Sequence, residues 1–203
     1  MGRVLNIFQR ATNPLAVLAG LGYVYNISEA AAATSITGPI TYATTTPCLL
    51  ARVTAASGLT MIPLYLSLAQ TGTVAGGAVS VLMSVDNANR YTSGGTEATY
   101  LNAKLNSGSN APPTGFAMFS RTGSAITATN AEGVRVWGVT VGQDVSPAEG
   151  VSNELVWTPP AGPEILSDTA ALGASWLIDA TAATTGVTLF WSAKVAVFPT
   201  TDL

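Results

Sequence analysis

The chain has 203 residues and a formal charge of -3, with 9% charged residues, 48% apolar residues and no histidine. A soluble domain ordinarily carries about 25% charged residues, so most of the usual surface charge is missing. This composition excludes histidine-based triads and histidine-ligated zinc, and it offers no basic footprint for nucleic acid or an anionic membrane.

The length suits one domain of β-sandwich size with an appendage. Residues 1–35 read as an N-terminal arm and residues 36–203 as the sandwich domain. In the arm, apolar residues recur at Val4, Leu5, Phe8, Leu15, Val17, Leu18 and Leu21. Asn13-Pro14 interrupts them, because the residue before a proline is pushed out of the helical region. A short helical turn is expected before Pro14 and an irregular or extended stretch after it. The stretch Leu15–Ile27 is too short to span a bilayer, which takes about 20 apolar residues. Arg3 and Arg10 ahead of it, with Ala30–Ala33 behind, imitate a secretory leader; the chain is nevertheless read as not secreted. Packed on its own domain the arm is structural. Docked on a neighbouring subunit, it would use Arg3, Phe8, Arg10, Leu15, Leu18, Tyr23 and Tyr25 as subunit contacts.

Beyond residue 36 the pattern is one of short strands between turns. Cys48–Val53 is a compact apolar run. Within Met61–Leu68, Ile62, Leu64, Leu66 and Leu68 alternate with other residues and predict one buried face. Pro63 places that strand at an edge or starts it late. Strands are also expected at Ala78–Val85, Gly133–Val141 and Val151–Trp157. Ser175–Ala180 and Val187–Phe198 read as a closing hairpin, whose last strand is apolar on both faces and therefore central or covered. The fold class is all-β: an antiparallel sandwich, jelly-roll-like, with an N-terminal extended arm.

Few residues invite chemistry. Cys48, the single cysteine, has no disulfide partner and no histidine to activate it, so it reads as a buried strand residue of a protein made in a reducing cytoplasm. Asp86-Asn87-Ala88-Asn89-Arg90-Tyr91-Thr92-Ser93-Gly94-Gly95-Thr96 could supply oxygens to calcium, but it lacks the EF-hand spacing, and Asp and Asn dominate ordinary turns. Asp144, Glu149, Glu154, Glu164 and Asp168 form an acid-only stretch. Two of them brought together could hydrolyse a glycoside, while solvated loop positions are the simpler reading. Trp137, Trp157, Trp176 and Trp191 are expected in the core or at a subunit interface, with exposed carbohydrate platforms as the rival. No enzyme activity, cofactor or metal is expected.

The segment Asn89-Arg90-Tyr91-Thr92-Ser93-Gly94-Gly95-Thr96 resembles an N-R-Y-x-S-G-G-T turn found in virion structural proteins of tailed bacteriophages. The closing Ser175-Trp176-Leu177-Ile178-Asp179 and Gly186–Trp191 are similar to the last hairpin of such proteins. The resemblance implies an oligomeric β-sandwich virion component, made in the host cytoplasm, and carries no catalytic residues. The expected role is a capsid decoration or cement subunit, with a trimer favoured, that contacts the major capsid protein or other virion proteins. A head-fibre, tail or receptor-binding subunit is the alternative within that class. A carbohydrate-binding or carbohydrate-active secreted sandwich is the alternative outside it. No nucleic-acid or membrane partner is expected.

Overall fold

The structure, a computed structural model, describes residues 13–29, 31, 34–71, 78–104, 110–129, 134–142, 154–159, 164–168 and 172–203. Among the described residues, helix α1 (Pro14–Gly20) precedes β1 (Val24–Ser28), β2 (Ile36–Thr37), β3 (Leu49–Val53), β4 (Leu59–Gln70) and β5 (Ala78–Asp86). Then come β6 (Tyr91–Gly94), β7 (Thr96–Glu97), β8 (Thr99–Asn102), β9 (Phe116–Ser120) and β10 (Ile126–Ala128). The last strands are β11 (Val134–Gly142), β12 (Glu154–Trp157), β13 (Leu166–Ser167), β14 (Ala174–Thr181) and β15 (Thr188–Pro199), before a 3-10 turn at Thr200–Asp202.

The first sheet runs β12–β4–β15–β1–β8, with β13 also on β4 and β2 on β15; the second runs β11–β5–β14–β3–β9–β7. The long pairs nest: β1 with β15, β3 with β14, β4 with β12 and β5 with β11, all antiparallel. Apart from the short β2 and β13, the chain changes sheets at each step from β1 through β3 and β4 to β5. It does so again from β11 through β12 and β14 to β15. A ribbon of nested pairs folded across two sheets in this way is a jelly roll.

This topology corrects the closing hairpin. β14 pairs with β3 and β5 in the second sheet, whereas β15 pairs with β4 and β1 in the first. The segment between them therefore crosses from one sheet to the other. β15 is central, and its two apolar faces have separate covers. Trp191, Ala193, Val195 and Val197 join the inter-sheet core, while Ala196 and Phe198 pack outward with Leu18, Val24 and Ile62.

β4 is also central rather than an edge. Its register against β15 slips between Lys194 and Val195, where Tyr65 and Pro63 are the successive partners, so Leu64 is the extra residue of a bulge. On its other side β13 pairs only up to Met61 and β12 only from Leu66, so no described ladder needs a donor from Pro63. The bulge also switches faces. Met61, Leu66 and Leu68 belong to the main core, whereas Ile62 and Leu64 lie in the outer cluster with Leu18. The single face expected for Ile62, Leu64, Leu66 and Leu68 is therefore split in two.

The expected arm boundary moves as well. Asn13-Pro14 opens a helix, while the helical turn expected before Pro14 lies outside the described residues. Asn13 Oδ1 accepts the Ala16 N–H at 3.1 Å, and Pro14 takes the first helical position, where its missing donor costs nothing. α1 lays the fully buried Leu18 over the outer face of the first sheet, and β1 fills the gap between β15 and β8. Residues 13–29 are thus part of the sandwich, leaving residues 1–12, outside the described set, as the remainder of the expected arm.

Candidate functional site

Two places on the outer face of the second sheet hold buried charge. The first is the turn that follows β5. Asp86 is buried, and Arg90 donates to it twice, from Nε to Oδ2 at 2.9 Å and from Nη2 to Oδ1 at 3.2 Å. The Ala88 N–H adds a third bond to Oδ1 at 3.1 Å. Ser175 Oγ on β14 accepts the Arg90 N–H and donates to the Ala88 carbonyl, each at 2.8 Å. The oxygens nominated for calcium are turned inward on the loop's own donors, which is turn chemistry.

The glycines of the same segment are sterically required. Gly94 and Gly95 have φ of +77° and +70°, and a Cβ on Gly94 would lie 2.1 Å from the Ala125 carbonyl oxygen. They let β6 pair with β10 as a ribbon over Leu50, Phe119 and Leu177. Tyr91 stacks on Phe119 at 4.0 Å and 10°, its hydroxyl donates to the Gly94 carbonyl at 3.0 Å, and the Arg52 guanidinium sits 4.5 Å from its ring centroid. Asn89, Arg90, Tyr91, Gly94, Gly95 and Thr96 of the N-R-Y-T-S-G-G-T segment thus have structural tasks, Asn89 Oδ1 accepting the Tyr91 N–H and Thr96 Oγ1 donating to the Thr122 carbonyl.

The second place lies further along β14. Asp179 shares its outward face with Leu177 and pairs with Leu82 of β5, which in turn pairs with Gly138 of β11. Only 2% of Asp179 is exposed, and its Oδ1 has no hydrogen-bond partner. Burial pushes its carboxyl up to about 7, against a partial opposing pull from Arg121. In front of it is a cleft of about 210 Å³ lined by Tyr42, Ser80, Val81, Leu82, Val139, Thr140 and Thr181. The Ser80 and Thr140 hydroxyls bond each other at 2.9 Å, and the Tyr42 ring is half exposed at the site. Burial raises the Tyr42 hydroxyl, and the Asp179 charge adds to that.

Cys48, just before β3, is close to this site but inert. Burial pushes its thiol up to about 12, and its Sγ is engaged by the Ala180 N–H and carbonyl, both at 3.3 Å. A nucleophile needs the thiolate, which this environment suppresses. Neither Asp179 nor Tyr42 stood out in the sequence. A lone aspartate inside an otherwise apolar strand, Ser175–Ala180, was the available signal, because an unpaired acid is seldom fully buried without a reason.

The other nominated residues do not converge. Asp168 is buried and accepts the Gly173 N–H at 2.8 Å and the Gly58 N–H at 3.2 Å, tying loops together at the start of β4. Glu154 accepts from Ser67 Oγ at 2.5 Å near the far end of the same strand. At about 3.3 Å per residue, the two carboxylates are roughly 25–30 Å apart, whereas a glycosidase pair needs about 5–9.5 Å. Glu164 is exposed, and Asp144 and Glu149 lie outside the described residues. Among the described residues no three His, Cys, Asp or Glu side chains group as metal ligands, and no helix is long and apolar enough to cross a membrane.

Trp157, Trp176 and Trp191 are buried in the core, and Trp137 packs against it. Trp191 Nε1 donates at 3.0 Å to Glu29, a buried acid that also accepts from Thr122 Oγ1 at 2.8 Å.

Of the expected subunit contacts, Arg3, Phe8 and Arg10 lie outside the described residues. Leu15 is exposed on α1. Leu18 and Tyr25 are buried in their own domain and present no surface to a neighbour. Tyr23 is half-buried, tilted against Phe198, and donates to Asp202 Oδ2 at 2.6 Å.

No protein-family model matches the chain, and no curated protein does. Among solved structures, the infectious bursal disease virus VP2 subviral particle aligns at 13% identity with a TM-score of 0.11, over 88% of this chain and 40% of that one. A likeness that slight carries no weight for fold or function.

Proposed function

We propose that this protein is a structural component of a bacteriophage virion, a decoration or cement subunit that stabilises the head lattice through contacts with its own copies and with capsid protein. The observation that carries this reading is where the scarce charge lies. Among the described residues Glu29, Asp86, Asp168 and Asp179 are buried, out of eleven acids in the whole chain. Arg90 closes on Asp86, and Arg52 lies against aromatic rings.

Little of the usual charge is left for the outside. On the outer face of the first sheet, Thr99, Ser28, Ser192, Ser67 and Val156 form one row across the strands, and Leu101, Asn26, Lys194 and Tyr65 form the next. Leu101, Val156 and Phe190 are exposed there, and Leu15 and Val17 are exposed on α1. Small hydroxyls, aliphatic and aromatic side chains, with Lys194 and Glu154 as the charged groups of that face, suit a surface that other protein covers better than one kept apart by charge. Jelly rolls also serve as lectins, so fold analogy alone decides nothing, and the surface is the argument.

Sedimentation of the purified protein tests the reading. A closed oligomer, with a trimer favoured, is expected, together with retention on capsid shells. A monomer at all concentrations that does not bind shells contradicts it.

A further inference from the structure

We propose that the cleft in front of Asp179 receives the cationic tip of a lysine or arginine side chain from a partner subunit. The proposal rests on the assembly reading above and names one contact within it. Asp179 is only 2% exposed, and its Oδ1 lacks any hydrogen-bond partner, an arrangement that costs stability unless something compensates it.

The charged and titratable groups acting around this carboxyl are Arg121, Tyr42 and Cys48. Arg121 does not close on it. The guanidinium keeps an unpartnered Nη1 and lines a separate hollow with Ser35, Thr37 and Ser124. The acid therefore keeps an unmet acceptor, closed to solvent beneath the lining of the cleft. Around it, Ser80, Thr140 and Thr181 offer hydroxyl oxygens, and the half-exposed Tyr42 ring offers a face to a cation.

Size narrows the occupant. About 210 Å³ falls below the roughly 300–1,000 Å³ of small-molecule sites, and a single side chain is the appropriate scale. A buried anchor in a dry pocket is also how protein interfaces concentrate their affinity.

The test is NMR titration of the purified full chain at pH 8, with the Asp carboxyl carbons and the backbone amides labelled. The probes are n-butylammonium and ethylguanidinium, and the neutral controls are n-butanol and methyl glucoside. Saturable shifts at Asp179 and Thr181 are expected for the two cations alone, with the Asp179 titration midpoint moving down. Asp179→Asn should weaken the cation response at least about tenfold, and Tyr42→Ala, at an exposed position, should weaken it less. The proposal is overturned by no saturable response to either cation, by an equal response to n-butanol, by a preference for the glucoside, or by a response undiminished in both variants.

If Asp179→Asn fails to fold, the parent titration and Tyr42→Ala still decide. The result is separable from the assembly reading. Cation binding by a chain missing from virions overturns the reading and keeps the site, while a virion chain with no cation response does the reverse.

Discussion

The outer face of the second sheet carries two aspartates of similar burial and opposite circumstance. Asp86 stands in a turn that supplies its own cation and amide donors, and it fastens that turn to Ser175. Asp179, farther along β14, has a carboxyl oxygen without a partner and a cleft in front of it. Burial does not distinguish them. The number of donors within reach does, and it separates a structural acid from one that can serve a contact.

That contrast breaks most easily at the first end. Gly94→Ala puts a Cβ against the Ala125 carbonyl at a positive φ, and it should cost roughly 2–5 kcal/mol, from backbone strain and overpacking. Urea unfolding measures it, and a loss below 1 kcal/mol would mean that the ribbon does not need the turn. Asp86→Ala removes both Arg90 bonds while Arg90 stays only partly exposed, with an expected loss of about 2–3 kcal/mol by the same measurement.

The second end should respond with the opposite sign. The Asp179 carboxyl is raised from 3.8 to about 7. The folded state therefore holds its proton where the unfolded state has released it. That asymmetry favours folding at low pH, declines as pH rises from about 4 to about 7, and is gone above. Asp179→Asn should accordingly raise the melting temperature by a few degrees at pH 8, by less at pH 5, and leave it nearly unchanged at about pH 3.5. A drop at pH 8 would show that the carboxylate has partners in solution. The smallest effect concerns the turn itself: a chelator should not move the melting temperature, because the Asp86 oxygens already accept from Arg90 and Ala88, and a clear fall would restore the cation reading.

Strand positions were largely legible, because alternation and turn residues act locally. Sheet membership was not. Ser175–Ala180 and Val187–Phe198 look like hairpin partners, yet nothing in a short loop of small residues says whether the next strand pairs beside the last or crosses to the opposite sheet. The bulge at Leu64 was equally hidden, since a residue extra to one strand is visible only once its partner is known. Asn13-Pro14 carried two meanings, breaker and helix opener, and packing of Leu18 on Ile62 and Phe198 selected the second. The turn around Asn89–Thr96 was readable from its Asp, Asn and Gly content. The Asp179 cleft was not, because it joins residues from four separate segments.

The claim that this chain's neutral surface exists to be covered by other virion subunits is tested most directly by quantitative mass spectrometry of purified particles from a phage encoding it. The chain should be present at a fixed, high copy number relative to the major capsid protein. Its absence from purified particles would contradict the proposed function outright.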